Sequence, residues 1–163
     1  MEIIKDRRRQ ADDWLRLPSH SDTAPKRKVI ITLADYGQGS AYFNERTAPW
    51  GVVLDAEDDL DALLPALPHL SLIVFEFAKF TDGRGYSVGR LLRQRYGFEG
   101  ELRAVGDITR DQLMYLERCG FTAFQLKEGK CLDDAVAAFN ELPTKYQVAT
   151  DDVMPIWHRR LPA

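Results

Sequence analysis

The stretch SLIVFEFAKFTDGRGYSVGRLLRQRYG, residues 71–97, decides the fold. Its opening run, SLIVFEF, is uniformly apolar apart from Glu76, which predicts a strand buried on both faces. Its last part, YSVGRLLRQRYG, has apolar residues at helical spacing and predicts a helix. A strand that runs directly into a helix is the repeating unit of parallel α/β sheets, so this stretch predicts an α/β fold.

Three similar units surround this one. WGVVL precedes AEDDLDALLPALPHL, ELRAV precedes TRDQLMYLERCG, and TAFQL precedes CLDDAVAAFNEL. Pro65 must bend or end the first of these helices, and Gly120 is a stop signal for the second. The helices are long enough to connect parallel neighbours. We predict one α/β domain with a mainly parallel sheet, either open and doubly wound or an incomplete barrel, because a complete eightfold barrel takes about 250 residues.

The ends of the chain differ from this repeating region. Residues 1–17 have short apolar stretches on either side of a charged turn, which predicts a small N-terminal hairpin preceding the main domain. PSHSDTAPKRK indicates a linker, and the main α/β domain is predicted over residues 28–142. The tail, residues 143–163, has no sustained period, so we expect it to run over the surface or to reach a partner.

Composition argues against several classes of function. The chain has 163 residues, of which 45% are hydrophobic, enough for one well-buried core. Its 22 basic and 25 acidic residues give a net charge of −3, so there is no global electrostatic case for binding nucleic acid. Apolar runs fall short of the about 18 residues that a membrane helix needs. The N-terminus lacks a secretory signal, and we expect a cytoplasmic protein that contacts no membrane.

Residues that hold metals and redox groups are few. Cys119 and Cys131 cannot supply the four thiolates that an iron–sulfur cluster normally takes. The three histidines lie in a linker, a helix end and the tail, without metal-ligand spacing and without a Ser-His-Asp set. GRGYSVG, residues 83–89, is one residue away from the dinucleotide fingerprint, and Asp107 follows the next strand. We predict no metal site, and no cofactor is evident from the residues.

Polar residues concentrate where the predicted strands run into helices. In parallel sheets these loops lie at the carboxyl edge, where ligands bind. Gly83 and Gly85 can take positive φ, which lets successive backbone N–H groups face one point beside a helix N-terminus. Together with basic side chains they predict a site for a small oxyanion such as phosphate, sulfate or sulfite. The predicted ligand-binding residues are Lys79, Thr81, Asp82, Gly83, Arg84, Gly85, Tyr86, Ser87 and Arg110.

The same loops have a purely structural interpretation. Asp82 or Ser87 would cap the helix, and the glycines would form the turn. Arg84 would then pair with Asp107 or Asp111 from the neighbouring loop. If the loops are catalytic instead, the candidates are Asp82, Asp107 and Asp111, acting as general acid or base or orienting the basic residues.

Two other charged features need partners. Glu76, alone in an apolar strand, is expected to pair with Lys79 or Arg103. The helix after the glycine loop is predicted to expose its arginines and to bury its leucines. Such a face is either solvated or a docking surface for an acidic partner. The arginines are Arg90, Arg93 and Arg95, and the leucines are Leu91 and Leu92.

These residues also carry a family resemblance. FEFAKFTDGRGYSVGRLLRQRYGFEGELRAVGDITRDQLMYLERCGFTAF resembles the signature block of an uncharacterised bacterial family, domain of unknown function 934. An N-terminal pattern ending in DDW extends the resemblance over most of the chain, and Ala78 stands where the family usually has proline. Members of the family are commonly described as oxidoreductases involved in sulfite reduction, and they are encoded beside the reductases.

The resemblance implies a role in assimilatory sulfate and sulfite reduction. We expect an accessory protein that acts with sulfite reductase or another sulfur-assimilation enzyme and assists assembly, electron delivery or sulfite handling. The aromatic and basic tail IWHRR, residues 156–160, fits such a docking role. The alternative is a small anion-binding enzyme, or a nicotinamide- or flavin-dependent oxidoreductase that uses the glycine-rich loop.

Overall fold

Eight strands form one sheet in the computed structural model, which describes residues 1–19, 25–151 and 153–158. The strands are β1 (Glu2–Lys5), β2 (Arg8–Ala11), β3 (Leu15–Arg16), β4 (Val29–Thr32), β5 (Trp50–Leu54), β6 (Leu72–Phe77), β7 (Glu101–Gly106) and β8 (Ala123–Gln125). Their order across the sheet is β2-β1-β8-β7-β6-β5-β4-β3. The helices are α1 (Leu33–Asn44), α2 (Leu60–Leu63), α3 (Arg84–Gln94), α4 (Leu113–Arg118) and α5 (Leu132–Ala138), with 3₁₀ segments at Leu64–His69 and Arg110–Gln112.

From β3 to β8, each strand pairs in parallel with the next strand along the chain. β6 and β7 form the longest of these pairs, from Leu72 opposite Glu101 to Phe77 opposite Gly106. Each of the strands β4 to β7 leads into a helical segment, as the repeating pattern predicts. The chain is thus an α/β domain with a single sheet.

The N-terminal hairpin makes this sheet mixed. β1 and β2 are antiparallel, and β1 also pairs antiparallel with β8. Asp6 and Arg7 join β1 to β2 with φ of 49° and 60°. Positive φ at both turn residues is the geometry whose twist matches a tight hairpin. The prediction of a mainly parallel sheet that a hairpin merely precedes is wrong in this respect, because the hairpin covers the β8 edge and supplies two antiparallel strands.

The short link between β2 and β3 curls the sheet. These two strands lie at opposite edges, yet only Asp12, Asp13 and Trp14 connect them. A flat sheet of eight strands would separate its edges by about 34 Å. The four steps from Ala11 to Leu15 span at most about 14 Å. The sheet is therefore curled into a half-barrel, and the incomplete-barrel alternative, not the doubly wound one, describes it.

The two faces of the curled sheet differ. The convex face carries the main hydrophobic core, in which strand residues pack against the buried side chains of the helices. Its largest fully buried residues include Trp50, Phe75, Phe77, Phe121 and Phe124. The concave face carries a smaller cluster, Ile30, Val53, Leu72, Val74 and Val105, against which Trp14 of the link packs. Burying one such side chain stabilises the fold by about 1.5–3 kcal/mol.

Local sequence signals explain where the helices end. Pro65 lies just after α2, which is one turn long and continues as a 3₁₀ segment because proline donates no backbone hydrogen bond. Gly120 follows α4 with φ of 101°, and its N–H donates to the carbonyl of Glu117, so the predicted stop is confirmed. Within the described residues, no helix combines the length and the apolar composition needed to cross a membrane.

Candidate functional site

The glycine-rich loop lies at the carboxyl end of β6, but much of it is helical. α3 begins at Arg84, so Gly85, Tyr86 and Ser87 belong to its first turn. Lys79 and Thr81 are exposed, and among the described residues their side chains form no hydrogen bond or ion pair. Tyr86 packs its ring against Phe77 with the centroids 5.9 Å apart, and burial raises its pKa.

Arg84 is engaged by carboxylates of its own and a neighbouring loop. Its Nη2 lies 2.8 Å from Oδ2 of Asp82, and its Nη1 lies 2.6 Å from Oε1 of Glu57. The hydrogen bonds from Arg84 lower the pKa of Asp82 to about 2. The expected pairing of Arg84 with Asp107 or Asp111 is wrong, because Arg84 pairs instead with Asp82 and with Glu57 from the loop after β5. An anion that binds Arg84 must compete with two carboxylates.

Gly85 of this loop and Gly89 of α3 serve close packing, whereas Gly83 does not. Gly83 has φ of −81° and Gly85 is helical, so the expected positive φ at these two positions is wrong. A Cβ atom on Gly85 would lie 2.4 Å from Cζ of Phe77, which is closer than real Cβ contacts. One turn later, a Cβ on Gly89 would lie 2.6 Å from Cε2 of Phe121. The four-residue spacing of Gly85 and Gly89 therefore lets one face of α3 lie directly on the aromatic core.

The neighbouring loops are also internally paired. Asp107 accepts from Nζ of Lys127 at 2.7 Å and from the backbone N–H of Phe80 at 3.2 Å, and the Lys127 contact is the main reason that its pKa is lowered. Arg110 points toward α5 instead, where its Nε lies 2.9 Å from Oδ2 of Asp134. Asp111 is exposed and forms no ion pair with the described residues. The structure thus keeps Arg110 and Arg84 with separate partners.

Two predicted charge assignments need correction. Glu76 pairs with Nη2 of Arg16 at 2.9 Å, not with Lys79 or Arg103. Arg103 is paired with Asp12 and Glu101 instead. Arg93 is not on the exposed face of α3 but donates from Nε to the carbonyl of Gly120 at 2.9 Å. Arg90 and Arg95 remain exposed, as do Leu91 and Gln94; Leu91 was predicted to be buried.

The concave face holds a cavity that the sequence did not reveal. Its volume is about 350 Å³. Four branched aliphatic side chains form its floor: Ile30, Val53, Val74 and Val105, each less than a tenth exposed. Met1, Asp12, Trp14, Arg16, Arg103 and Gln125 complete the lining. The signals available in the sequence were the DDW triplet and the polar residues at alternate positions of β7 and β8.

A buried arginine closes one side of this cavity. The Arg103 side chain is 2% exposed; its Nη1 lies 3.0 Å from Oδ2 of Asp12 and its Nη2 2.7 Å from Oε1 of Glu101. Glu101 also accepts from Nζ of Lys5 at 2.8 Å, and this contact raises the pKa of Lys5. The network ties the β1–β2 hairpin and the link to β7. It therefore fixes β1, β2 and the link that follows them against β7.

The C-terminal tail is fastened to α4 by Arg118. Nε of Arg118 lies 3.1 Å from Oδ2 of Asp151, and the carbonyl of Arg118 accepts from the N–H and the hydroxyl of Thr150. Farther along, Nε1 of Trp157 donates to the carbonyl of Tyr146 at 3.0 Å. The predicted aromatic and basic end of the tail is described only as far as residue 158, and Arg159 and Arg160 lie outside the described residues.

The described residues offer no cluster of three or more His, Cys, Asp or Glu side chains that could hold a metal ion. Comparison with curated proteins gives no match. Comparison with family models matches residues 51–157, more than half of the 163-residue chain, to the family described as "Bacterial protein of unknown function (DUF934)". The chain belongs to this bacterial family of unknown function.

Proposed function

We propose that this protein is an accessory protein of assimilatory sulfite reduction that docks onto sulfite reductase or another sulfur-assimilation enzyme. The observation that carries the proposal is a surface formed by α3 and the C-terminal tail. We call it the α3–tail face and define it by Arg90, Leu91 and Gln94 of α3, the next residue Arg95, and Val148 and Met154 of the tail. Gln94 lines the grooves on both elements, so the face is continuous.

Exposed apolar side chains concentrate in the tail and in the residue just before it, Leu142. Of the ten large hydrophobic residues that are exposed in the described part of the chain, five lie between residues 142 and 158. Grouped exposed apolar residues mark interaction sites, and Tyr and Trp are frequent binding hot spots. The hydrogen bonds to Arg118 and Tyr146 order the tail before any partner arrives, which lowers the entropic cost of docking. The five residues are Leu142, Tyr146, Val148, Met154 and Trp157.

The charge of the α3–tail face indicates the kind of partner. Arg90 and Arg95 form no ion pair with the described residues, whereas Arg84 and Arg110 at the carboxyl edge each contact two acidic residues. Arg90 donates from Nε to Oε1 of Gln94 at 2.8 Å, and Arg95 lies over the ring of Tyr96. Free guanidinium groups beside apolar side chains suit a partner surface that is acidic and partly apolar.

The test is binding of the purified protein to the subunits of sulfite reductase and to the other enzymes of sulfur assimilation, measured by calorimetry at low salt. The double variant Val148→Asp with Met154→Asp is expected to weaken binding at least tenfold without changing the melting temperature, because both side chains are more than half exposed. Phe80→Asp is the matched control, since Phe80 is 57% exposed and lies outside the α3–tail face. Absence of wild-type binding, or an equal loss in the control, would contradict the proposal.

Oxyanion binding by residues 79–87 is the second candidate function. One observation favours it: Lys79 has no carboxylate partner among the described residues. The N-terminus of α3 does not, because the side chain of Asp82 already accepts from the backbone N–H of Arg84 there, at 3.0 Å. Against it, Arg84 is occupied by Asp82 and Glu57. Asp82 cannot serve as a general acid near neutral pH, because its pKa of about 2 leaves it ionised. Titration of Asp82 with and without sulfate tests this candidate, since an anion that takes Arg84 must release Asp82.

A further inference from the structure

We propose that the concave cavity of the half-barrel binds a small, neutral, ring-containing organic molecule that hydrogen-bonds to Gln125 and packs on Trp14. This site is separate from the α3–tail face, so it does not depend on the docking proposal. Its basis is the size, the charge balance and the unused polar groups of the cavity.

The size and the walls suit a ligand larger than water. Protein interiors are close-packed, and voids larger than a few waters are uncommon. The cavity measures about 350 Å³, which falls within the range of small-molecule sites. An engineered apolar cavity of about 150 Å³ already accepts benzene. A bicyclic molecule therefore fits this cavity, with the aliphatic floor of Ile30, Val53, Val74 and Val105 beneath it.

The charge balance of the side chains disfavours an ionic ligand. Arg103 is matched by Asp12 and Glu101, and Arg16 is matched by Glu76. Lys5 is the third cation, and it forms an ion pair with Glu101. Three cationic side chains thus face three carboxylates on this side of the sheet. Met1, which also lines the cavity, carries the N-terminal ammonium group, but this residue is 77% exposed, so water solvates that charge. A charged ligand would add an unmatched charge beside apolar walls, which is costly, so a neutral molecule is favoured.

Two polar groups on the lining have no partner. The side-chain amide of Gln125 and the indole N–H of Trp14 make no hydrogen bond to the described residues. The amide offers both a donor and an acceptor, and the indole offers a donor. A few polar groups on a mostly apolar wall fix the orientation of a ligand. The ligand class is therefore an aromatic or alicyclic ring with one hydroxyl, carbonyl or amide group.

The link between the sheet edges holds the cavity in shape. Asp12 accepts from Arg103, and its Oδ1 accepts from the backbone N–H of Trp14 at 3.3 Å. These bonds place the indole against the aliphatic floor, where it forms a wall of the cavity. An aromatic wall that is fixed in advance favours stacking with a flat ligand. The DDW triplet thereby acquires a role, because Asp12 positions Trp14.

The test compares three naphthalene probes by equilibrium dialysis at pH 7. We expect 2-naphthol, which is neutral, to bind saturably to one site. The anion naphthalene-2-sulfonate and the cation 2-naphthylmethylammonium should bind at least tenfold more weakly. Equal binding of the sulfonate would assign the cavity to anions and overturn the proposal. Absence of saturable 2-naphthol binding would overturn it as well.

Two variants locate the bound probe. Gln125→Leu keeps the side-chain size and should weaken 2-naphthol three- to tenfold while leaving unsubstituted naphthalene unchanged, which a general loss of structure would not do. Gln94→Leu on α3 is the matched control and should change neither affinity. Val74→Phe should fill the cavity and abolish both. If Val74→Phe does not fold, the Gln125→Leu comparison still decides, and equal affinities in that variant and wild type would overturn the site.

Discussion

The carboxyl-edge loops and the concave face use the same chemical groups in different surroundings. At the loops, Arg84 contacts Asp82 and Glu57 with 54% of its side chain exposed. On the concave face, Arg103 contacts two carboxylates with 2% exposed. Exposed ion pairs contribute little to stability because water and salt screen them. A buried arginine must be matched, and losing it leaves uncompensated carboxylates. Burial, not residue type, therefore decides which cluster holds the fold together.

The largest effect should come from breaking the buried network. Arg103→Met is expected to lower the free energy of unfolding by about 3–5 kcal/mol, because Asp12 and Glu101 lose their partner. Urea denaturation followed by circular dichroism measures this change. Arg84→Met is the matched control, and its denaturation midpoint should stay close to that of wild type. Similar midpoints for the two variants would remove the distinction between the two regions.

A smaller effect separates the two glycines of the loop. Gly85→Ala should destabilise the protein by about 1–3 kcal/mol, because the new Cβ would collide with Phe77 in the core. Gly83→Ala should change stability by less than about 0.5 kcal/mol, since no atom lies within reach of the new Cβ and φ is negative there. Thermal and urea denaturation of both variants measure this. If Gly83→Ala were the more damaging change, the glycines would serve the loop and not the packing of α3.

The smallest effect concerns the ionisation of Asp82. Its carboxyl should titrate with a pKa of about 2 in wild type and move back toward 3.8 in Arg84→Met, as NMR of the carboxyl carbon can measure. Because the folded pKa is depressed, the ion pair stabilises the protein above the ordinary pKa, and this contribution is lost as pH falls through 2.

Sulfate sharpens the same titration. If the loop is only structural, added sulfate should leave the pKa of Asp82 unchanged. A pKa that rises with sulfate in a saturable manner would mean that the anion takes Arg84 away from Asp82. That outcome would move the oxyanion candidate ahead of the structural interpretation of the loop.

Local periodicity was sufficient to predict the repeating part of the fold. The alternation of apolar strands and amphipathic helices follows from short-range patterns, and β5, β6 and β7 lie where WGVVL, SLIVFEF and ELRAV predict them. The curl of the sheet was not predictable in this way. It follows from the three-residue link only when the edge positions of β2 and β3 are known, and strand order is a tertiary property.

The candidate site shows the same limit. Glycine, a hydroxyl group and arginine in one loop are typical of anion sites, yet Gly85 packs on Phe77 of the preceding strand and Arg84 pairs with Glu57, which is distant in sequence. The concave cavity brings Asp12, Trp14 and Gln125 together from the two ends of the chain. No local spacing connects such residues, so sequence patterns did not indicate that they meet.

The most direct test of where ligands bind is a ¹H–¹⁵N correlation spectrum recorded during a titration with 2-naphthol. We predict that the indole N–H of Trp14 and the side-chain amide of Gln125 shift saturably, while the backbone signals of Gly83 and Gly85 stay in place. Shifts confined to Gly83 and Gly85, or a spectrum that does not change, would contradict a ligand site on the concave face.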